Sequence, residues 1–269
     1  MHKIVKIADI KVGDNHPPVF FAEIGTFFNQ DINRAKKLIT KIAEIKKKSE
    51  INVLLKTEVL HDPNICLKDQ LKETYLTKQG KEKKESFRNL IERKVLSLQK
   101  YQQIFDLCKK LEIPTVASVY DIKGADFAIK NVDALKIASP NIIHIPLLSH
   151  VSKLKIPVII DTGRASLKEV RTAFNILKDG GLKNLIIEHS PDGHPASPFN
   201  HNLRSIETLK YKFKCPIGLS DHHVDDEMLY LSIGLGINIL EKGIIDNMNE
   251  VDQDIAHAMM IDDLPKVLK

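Results

Sequence analysis

The chain lacks tryptophan, has few aromatic residues and carries no long apolar run. Its 269 residues contain no Trp and 6% aromatic residues. No run of 18 or more apolar residues occurs, which argues against a membrane span. A net charge of +5 would suit nucleic acid, but 40 basic residues face 35 acidic ones, and no basic stripe alternates with aromatic residues. We therefore expect neither membrane nor nucleic acid as a partner, and a small anionic substrate accounts for the charge equally well.

Cysteine is also scarce. Cys66, Cys108 and Cys215 are isolated, odd in number and without CxxC spacing. This spacing indicates neither a disulfide framework nor a structural zinc site, and it predicts buried or half-buried free thiols. The first 15 residues carry charges every few positions and no apolar core of a signal peptide. We therefore predict a cytoplasmic protein.

Eight short apolar runs rich in β-branched residues alternate with helical patterns. Strands are predicted at 19–25, 52–60, 114–120, 134–139, 157–163, 185–190, 216–222 and 237–243. The alternation favours parallel pairing, and the length is near the ~250 residues of a (β/α)8 barrel. An open doubly wound sheet would give the same alternation, but it would not explain the polar strand ends described below. We predict an α/β fold, a single (β/α)8 TIM barrel that spans residues 1–269 as one domain.

The helical segments and one insertion complete the predicted layout. Asn29 or Asp31 is expected to cap the first helix, and Ser166 to cap a later one. Helices are predicted at 91–112, 124–130 and 142–154, with a final helix ending near Leu268. Residues 61–90 form a polar, Lys-rich insertion, predicted as a long surface loop with some helix over the end of the second strand.

Polar or charged residues end the strands. The endings are Glu23, Lys56 with Glu58, Ser118, Lys136 with Ser139, Asp161 with Thr162, Glu188 with His189, Ser220-Asp221-His222, and Glu241 with Lys242. Because all strand ends of a parallel barrel open on one face, residues far apart in sequence converge there. The sequence therefore predicts an active site at that face.

Two of these endings are lysines among apolar residues. Lys56 and Lys136 could simply extend to water at a barrel rim, as long cationic side chains often do. As a pair, with Ser139 nearby, they are suited to binding a carboxylate and a phosphate. This interpretation predicts an anionic substrate.

Other endings carry groups for acid–base or metal chemistry. Glu23 stands alone among apolar residues, so it is either a buried acid with a partner or a working acid or base. His222 is a candidate metal ligand or acid–base group, with Asp221 orienting it or contacting a substrate hydroxyl. A histidine in this position is also often only a hydrogen-bonded rim residue. His189 ends another strand, and His194 follows in a loop containing Gly and Pro.

Seven segments, taken in order, resemble the N-acetylneuraminate (sialic acid) synthase family between about residues 19 and 260. They are FAEIG, INRAKKLI, LLKTE, LKIAS, IDTGRASLKEV, HSPDGHP and GLSDH. Members of that family condense phosphoenolpyruvate with an N-acylated sugar. The resemblance implies a synthase that makes a sialic-acid-like 2-keto-3-deoxy acid for surface polysaccharide.

Carried over by position, the resemblance also implies roles for single residues. It makes Glu23 a catalytic carboxylate beside the reacting carbons and His222 a ligand of a divalent metal, commonly manganese or magnesium. The implied contacts to phosphoenolpyruvate are Lys56, Lys136, Ser139 and Ser220. The catalytic set is then Glu23, Lys56, Lys136 and His222. The wider set of expected substrate contacts is Glu58, Ser118, Ser139, Thr162, His189, Asp192, His194, Ser220 and Asp221.

The chain departs from the family pattern at several positions. Gly243 stands where the family has a second metal-binding histidine, Glu58 where it has Gln, and His194 where it has Tyr. His194, Glu58 or Asp246 are candidates to replace the missing ligand. The family's C-terminal antifreeze-like domain, which covers a partner subunit's site, is not expected after residue 269. We therefore expect a different acceptor sugar, or a homodimer or separate lid subunit as partner.

Two other interpretations compete with the synthase. A barrel that keeps the anion-binding lysines but has lost catalysis would act as a binding or partner subunit, and Gly243 favours this hypothesis. A metal-dependent hydrolase or lyase would use the same strand ends, but the chain lacks an HxH motif after the first strand. Because Glu23, Lys56, Lys136 and His222 are all retained, we expect an enzyme.

Overall fold

Strands and helices alternate along the part of the chain that the structure describes. The computed structural model describes residues 4–66, 68, 71–249 and 251–269. The strands are β1 Val5–Ile7, β2 Ile10–Val12, β3 Val19–Gly25, β4 Val53–Val59, β5 Lys72–Leu76, β6 Glu82–Ser86, β7 Thr115–Val119, β8 Ala134–Ile137, β9 Val158–Asp161, β10 Leu185–His189, β11 Ile217–Ser220, β12 Ile239–Ile245 and β13 Met259–Met260. The helices are α1 Ile32–Lys46, α2 Phe87–Lys94, α3 Leu98–Lys110, α4 Ile122–Ala128, α5 Ile145–Val151, α6 Leu167–Asp179, α7 Pro198–His201, α8 Ser205–Phe213, α9 Glu227–Gly234 and α10 Leu264–Val267.

Eight parallel strands close into a barrel. Strand β3 pairs with β4 on one side and with β12 on the other, and the pairing continues through β7, β8, β9, β10 and β11 back to β12. The predicted (β/α)8 TIM barrel is confirmed, and each predicted strand boundary lies within two residues of the observed one. The polar strand endings therefore meet at the carboxyl-terminal face of the barrel.

Side-chain caps fix where two of the surrounding helices begin. The carboxylate of Asp31 accepts hydrogen bonds from the backbone of Asn33 and Arg34 at the start of α1. Ser166 and Glu169 form a reciprocal capping box at the start of α6. Both caps match the sequence-based prediction, Asp31 being the cap of the two residues considered. The apolar faces of the helices pack against the outward residues of the strands in one large buried cluster.

The β1–β2 hairpin closes the amino-terminal end of the barrel. Val5, Ile7 and Val12 of this hairpin are fully buried. They form one apolar cluster with inward-facing residues from the starts of the barrel strands, namely Val19, Phe21, Leu54, Val116, Ala134, Ile159, Ile186 and Ile239. One half of the barrel interior is therefore a dry apolar core, and the polar half faces the opposite end.

The predicted insertion after the second barrel strand is present, but the prediction of a long loop was wrong. In place of the loop, β5 and β6 form an antiparallel hairpin, and the helical part is a short 3-10 turn at Pro63–Ile65 and the start of α2. The hairpin alternates Lys, Glu, Thr and Tyr, which lacks the apolar alternation of a half-buried strand. Gly80, with φ of +76°, makes its turn possible. Residues 67, 69 and 70 of the insertion lie outside the described residues.

Two predicted helices are shorter than expected. The segment 91–112 is broken between α2 and α3, because the backbone N–H of Leu96 donates to Leu60 O and Ser97 caps a new helix at the N–H of Lys100. The segment 142–154 is helical over Ile145–Val151 and follows a 3-10 turn at Ser139–Asn141. In both places the hydrophobic periodicity continues across a change of backbone direction, so periodicity alone did not locate the break.

The remaining expectations from composition concern thiols and membrane spans. Cys108 and Cys215 are buried, Cys66 is half-buried, and all three are free, as predicted. Among the described helices, none combines the length and the apolar composition needed to cross a bilayer.

Ile7→Ala tests whether the β1–β2 hairpin stabilises the amino-terminal end of the barrel. Ile7 is fully buried against the barrel floor, so we expect this truncation to lower the free energy of unfolding by about 2–5 kcal/mol. Lys6→Ala, at the exposed neighbouring position, should change it by less than about 0.5 kcal/mol. Urea denaturation followed by circular dichroism measures the free energy of unfolding of both variants. Equal stability of the two would contradict a stabilising role of the hairpin.

Candidate active site

A ring of charged residues lies above the apolar barrel floor. Because side chains alternate along a strand, the position two residues beyond each inward apolar residue also points inward. The inward-facing positions nearer the carboxyl ends of the strands carry polar or charged residues. They are Glu23, Lys56, Glu58, Ser118, Lys136, Asp161, Glu188, Ser220 and Glu241. All of these except Glu188 line one cavity of about 160 Å³. The interior of the barrel therefore combines a dry core with a charged chamber.

Lys136 is the most heavily paired cation of the chamber. Its Nζ lies 2.5 Å from Glu188 Oε2, 2.6 Å from Glu241 Oε1 and 3.0 Å from Asp161 Oδ2. The Lys136 side chain is 3% exposed, so it does not extend to water as a rim lysine would. Although burial opposes it, these carboxylates hold the pKa of Lys136 well above its usual value.

Lys56 forms the second cationic centre and shares a carboxylate with the first. Its Nζ donates to Glu23 Oε1 and lies 3.5 Å from Glu241 Oε1 and 3.8 Å from Glu58 Oε1. Glu241 Oε1 thus bridges both lysines, and it also accepts a hydrogen bond from Ser220 Oγ at 2.9 Å. The two lysines and their carboxylates therefore form one connected network.

The chamber holds more carboxyl groups than cations, and burial decides which of them ionise. Burial would raise the pKa of Glu241, but Lys136 and Lys56 outweigh it and lower the pKa to about 2. Burial raises the pKa of Glu23 to about 7 against the opposing charge of Lys56. Burial and the neighbouring Glu241 raise the pKa of Glu188 to about 8. Glu23 and Glu188 therefore hold or release a proton near neutral pH, which is the range that acid–base catalysis requires.

Three histidines meet at one side of the chamber. His194, His222 and His257 each offer a ring nitrogen, and these atoms all lie within 4.8 Å of one another. Asp254 Oδ1 lies 2.9 Å from His194 Nδ1 and 3.6 Å from His257 Nε2. Imidazoles and a carboxylate are the donors that divalent transition metals prefer. The donor set therefore fits a metal ion.

The histidines differ in how their surroundings affect protonation. Burial, with the neighbouring His257 and His194, lowers the pKa of His222 well below its usual value. Burial lowers the pKa of His257 as well. Burial opposes protonation of His194 too, but its hydrogen bond to Asp254 raises the pKa. His222 and His257 are therefore neutral at physiological pH, which is the form that ligates metals.

The position that lacks the expected histidine is filled by other groups. A Cβ atom at Gly243 would lie 3.1 Å from Cε2 and Cζ of Phe27 and 3.4 Å from Cβ of Ala258. The Phe27 ring and the segment that follows β12 therefore occupy the space into which a side chain at 243 would project. Glu58 and His194, two of the candidate replacements, line the chamber, whereas Asp246 is paired with Arg34 at 2.7 Å and does not line it.

The mouth of the chamber widens into two outer cavities. One, of about 490 Å³, lies between the β5–β6 hairpin and the loops after β8, β9 and β10, and Ser139, His194 and His222 line both it and the chamber. Gly163 in its wall has φ of +36°, and a Cβ there would lie 2.2 Å from Cβ of Ser139. The other, of about 570 Å³, is entered past Glu58 and Tyr120.

The structure does not bring every predicted contact into the chamber. His189 points outward, with Nε2 2.7 Å from His201 O, and Asp221 binds His201 Nε2 at 2.8 Å and Lys242 Nζ at 2.7 Å in a buried outer cluster. Thr162 Oγ1 accepts from Ser190 N at 3.3 Å. The exposed Asp192 pairs with Arg164 at 2.6 Å. His189 and Asp221 are each one residue from an inward position, and the pleat turns them to the other face.

Several residues of the chamber were absent from the predicted catalytic and contact residues, although Asp161, Glu188 and Glu241 were among the strand endings expected to converge. The list of predicted contacts lacked Asp161, Glu188, Ser190, Glu241, Asp254 and His257, all of which lie in the chamber or at its wall. The alternation of apolar residues along each strand would have identified Asp161, Glu188 and Glu241, because it assigns them to the inward face. No local signal would have found His257, which lies in a 3-10 turn well beyond the last barrel strand.

Comparison with known proteins identifies the family of this chain. The model of the NeuB family matches residues 45–269. The chain belongs to this family. The predicted resemblance to sialic acid synthases is thereby confirmed.

The relatives extend over most of the chain. An uncharacterized protein of Methanocaldococcus jannaschii is 30% identical over 260 residues, which are 96% of this chain and 70% of that protein. N,N'-diacetyllegionaminic acid synthase of Campylobacter jejuni is 29% identical over 228 residues, 83% of this chain and 66% of that enzyme. The crystal structure of N-acetylneuraminic acid (sialic acid) synthetase from Leptospira borgpetersenii in complex with citrate superposes with a TM-score of 0.86 at 25% identity. It covers 100% of this chain and 87% of that one.

Glu241→Gln and Glu188→Gln test the assignment of charges. Glu241 is ionised and bridges both lysines, so its replacement should lower the free energy of unfolding by about 3–5 kcal/mol. Glu188 is mostly protonated at pH 7, so Gln replaces a neutral group of the same shape and should cost less than about 1.5 kcal/mol. Urea denaturation at pH 7 compares the two. A loss for Glu188→Gln as large as that for Glu241→Gln would show that both carboxylates are ionised.

Proposed function

We propose that this protein is a phosphoenolpyruvate-dependent synthase. It condenses phosphoenolpyruvate with an N-acylated sugar aldehyde and yields a sialic-acid-like 2-keto-3-deoxy acid and phosphate. The observation that carries the proposal is the pair of buried lysines, Lys56 and Lys136, beside a proton-holding Glu23 in a chain of the NeuB family. The names of the relatives, which include synthases of legionaminic and sialic acids, support the class of reaction.

The donor would bind in the inner chamber. Lys56 and Lys136 supply positive charge for its phosphate and carboxylate, and their depth excludes water that would otherwise screen them. The hydroxyls of Ser118, Ser139 and Ser220 line the same chamber. Ser118 Oγ is buried and has no hydrogen-bond partner among the described residues. A buried hydroxyl without a partner is costly, and a phosphate or carboxylate oxygen would satisfy it.

The reaction forms a carbon–carbon bond and a carbon–oxygen bond, and it breaks the carbon–oxygen bond to phosphate. C3 of phosphoenolpyruvate bonds to the aldehyde carbon, and the aldehyde oxygen takes up a proton to become a hydroxyl group. Water adds at C2 with loss of one proton. The resulting C2 hydroxyl gives its remaining proton to the departing phosphate, and cleavage of the C2–O bond to phosphate leaves the 2-keto group. When bound at His222, a divalent metal would supply Lewis-acid polarisation of the aldehyde.

Glu23 is suited to the proton transfers of these steps. Its side chain is 16% exposed at the chamber, and its pKa of about 7 lets it hold a proton for the aldehyde oxygen or accept one from water. Lys56, which donates to Glu23 Oε1, keeps the carboxyl in place. General acid–base groups of this kind typically contribute about 10²–10⁴-fold to the rate.

The acceptor sugar would extend from the chamber past Glu58 into the outer cavity of about 570 Å³. Its wall carries the carboxylates of Asp62 and Asp121, while Lys94 is already paired with Asp252 at 2.8 Å. Carboxylates accept hydrogen bonds from sugar hydroxyls, which favours a polyhydroxylated acceptor without a strong negative charge in this region.

Phosphate release from phosphoenolpyruvate tests the proposal. We expect release with at least one member of a panel of N-acylated hexosamines, faster with manganese than after chelation. Glu23→Gln should slow release by about 10²–10⁴-fold while phosphoenolpyruvate still binds. Glu44→Gln, an exposed helix position, is the matched control and should leave the rate unchanged.

The other outcomes separate the competing hypotheses. Tight binding of phosphoenolpyruvate without release with any sugar would overturn the synthase and support a binding or partner subunit. Failure to bind phosphoenolpyruvate would overturn both and leave the hydrolase or lyase interpretation. The use of the product for surface polysaccharide, the cytoplasmic location and a lid from a partner subunit stay predictions.

Donor binding should weaken as pH rises. Glu23 and Glu188 have pKa values of about 7 and about 8, so both are largely ionised at pH 9 and repel an anionic donor, whereas Glu188 is mostly protonated at pH 7. The phosphate of the donor keeps its charge in this range, since its second pKa is about 6. We expect the Kd for phosphoenolpyruvate, measured by calorimetry, to be at least about 10-fold higher at pH 9 than at pH 7.

Glu188→Gln provides the control for this pH dependence. The variant should bind phosphoenolpyruvate with a flatter profile between pH 7 and pH 9, because one of the two titrating carboxyl groups is gone. An affinity that is constant or rises with pH in the unaltered protein would contradict the charge assignment.

A further inference from the structure

We propose that His194, His222 and His257 together bind one divalent transition-metal ion, with His257 taking the place of the ligand that is missing at Gly243. The use of this ion in catalysis rests on the proposed function, but the binding itself does not. The site is built from residues of three separate loops, those after β10, β11 and β12.

The distances match those between ligands of a single ion. His194 Nδ1 and His257 Nε2 are 3.4 Å apart. Two nitrogens bound at about 2.1 Å to a tetrahedral ion lie about 3.4 Å from each other, and slightly closer in an octahedral arrangement. The His194 and His222 rings have centroids 4.3 Å apart, and those of His222 and His257 are 4.7 Å apart. A small contraction would therefore place all three rings around one ion.

A buried ring nitrogen also points to a missing partner. Nδ1 of His222 is buried and has no hydrogen-bond partner among the described residues. His257 is only 4% exposed. Buried polar atoms are nearly always satisfied, so each exception requires a specific cause such as a ligand. A cation shared by the three rings would orient their lone pairs and remove the unfavourable approach of three imidazoles to one another.

Asp254 supplies the negative charge that such a site needs. Its Oδ1 lies between two of the rings, 2.9 Å from His194 Nδ1 and 3.6 Å from His257 Nε2. Because these are the same ring nitrogens that face the ion, Asp254 would bind the ion directly as a fourth ligand. Three neutral rings and one carboxylate leave the charge of a divalent ion only partly neutralised, which favours an anionic substrate beside it.

The fold explains how His257 reaches the site. Phe27 and Ala258 fill the space next to Gly243, and the chain returns after β12 so that β13 pairs with it in parallel. Lys78 of the β5–β6 hairpin donates to Ala256 O at 3.1 Å and to Ala258 O at 2.6 Å, on either side of His257. The insertion therefore acts as a clamp on the segment that carries the ligand, and Lys78 is a positioning residue.

The donor set also discriminates between metals. Imidazole nitrogens suit iron, nickel, copper or zinc, whereas magnesium prefers oxygen ligands and keeps its waters. We therefore expect transition-metal ions to bind more tightly than magnesium. Cobalt is a useful probe, because its visible absorption changes when nitrogen ligands replace water.

The test is a cobalt titration of the full chain after treatment with a chelator. We expect one ion per chain and a new visible absorption, with magnesium binding at least about 10-fold more weakly. His257→Gln should weaken cobalt binding by more than about 10-fold. Lys78→Met should weaken it less, because it removes only the clamp. Circular dichroism verifies that each variant is folded, and His222→Gln provides a second ligand variant with the same expected loss.

The second group of potential ligands provides a matched control. His223, Asp225 and Glu227 also lie within 4.8 Å of one another, but the two acidic residues are exposed. The double variant Asp225→Asn, Glu227→Gln should bind cobalt within about 2-fold of the unaltered protein, since exposed acidic groups are well hydrated. Loss of cobalt binding in this control, or unchanged binding in His257→Gln, would overturn the proposal.

The same samples distinguish this proposal from the proposed function. Cobalt binding that depends on His257, in a protein that releases no phosphate from phosphoenolpyruvate, would uphold the metal site and reject the synthase. Phosphate release that survives in His257→Gln with cobalt binding also unchanged would uphold the synthase and reject this site.

Discussion

The ion network around Lys136 is the constraint on which the chamber depends. Burying an ammonium group costs several kcal/mol unless counter-charges and hydrogen bonds replace its water. Here Glu241 and Asp161 supply counter-charges within 3.0 Å of Lys136 Nζ, and the carboxyl group of Glu188, which holds a proton near neutral pH, lies 2.5 Å from it. Glu241 connects this network to Lys56. The carboxyl groups therefore replace the water that would otherwise solvate each buried lysine. The same network leaves surplus carboxyl groups, and these keep protons instead of ionising.

Barrel closure makes this network possible. Eight parallel strands project alternate side chains inward, and the β1–β2 hairpin fills the lower layer with apolar side chains. The charged layer is thus closed below by a dry core and laterally by the strands, and its open side faces the loops. An anionic ligand that enters from the loops would meet two lysines whose charges the neighbouring carboxyl groups partly offset, in a region of low dielectric where each interaction is stronger than in water. The loops then add the histidines and the outer cavities.

The sequence correctly predicted which strand ends carry polar residues. It failed to predict which of two neighbouring residues at a strand end points into the barrel. Lys56, Lys136, Glu23 and Ser118 were correctly expected to converge because each ends an apolar run. His189 was expected in the site and faces outward, whereas Glu188 beside it faces inward. The same one-residue difference separates Asp221 from Ser220. The position of a strand end does not show whether a residue points inward or outward. Counting in steps of two from the inward apolar residues does.

The sequence by itself determined the eight-stranded barrel, its polar rim and the family, because hydrophobic periodicity and short motifs are local properties. Only the tertiary structure decided the rest. His257 is brought beside His194, 63 residues earlier in the chain, by pairing of β13 with β12 and by contacts from the hairpin that the sequence did not predict. The Phe27 ring lies so close to Gly243 that a larger residue at position 243 would have to displace it. Which carboxyl groups keep protons likewise follows from burial and from neighbours that lie far apart along the chain.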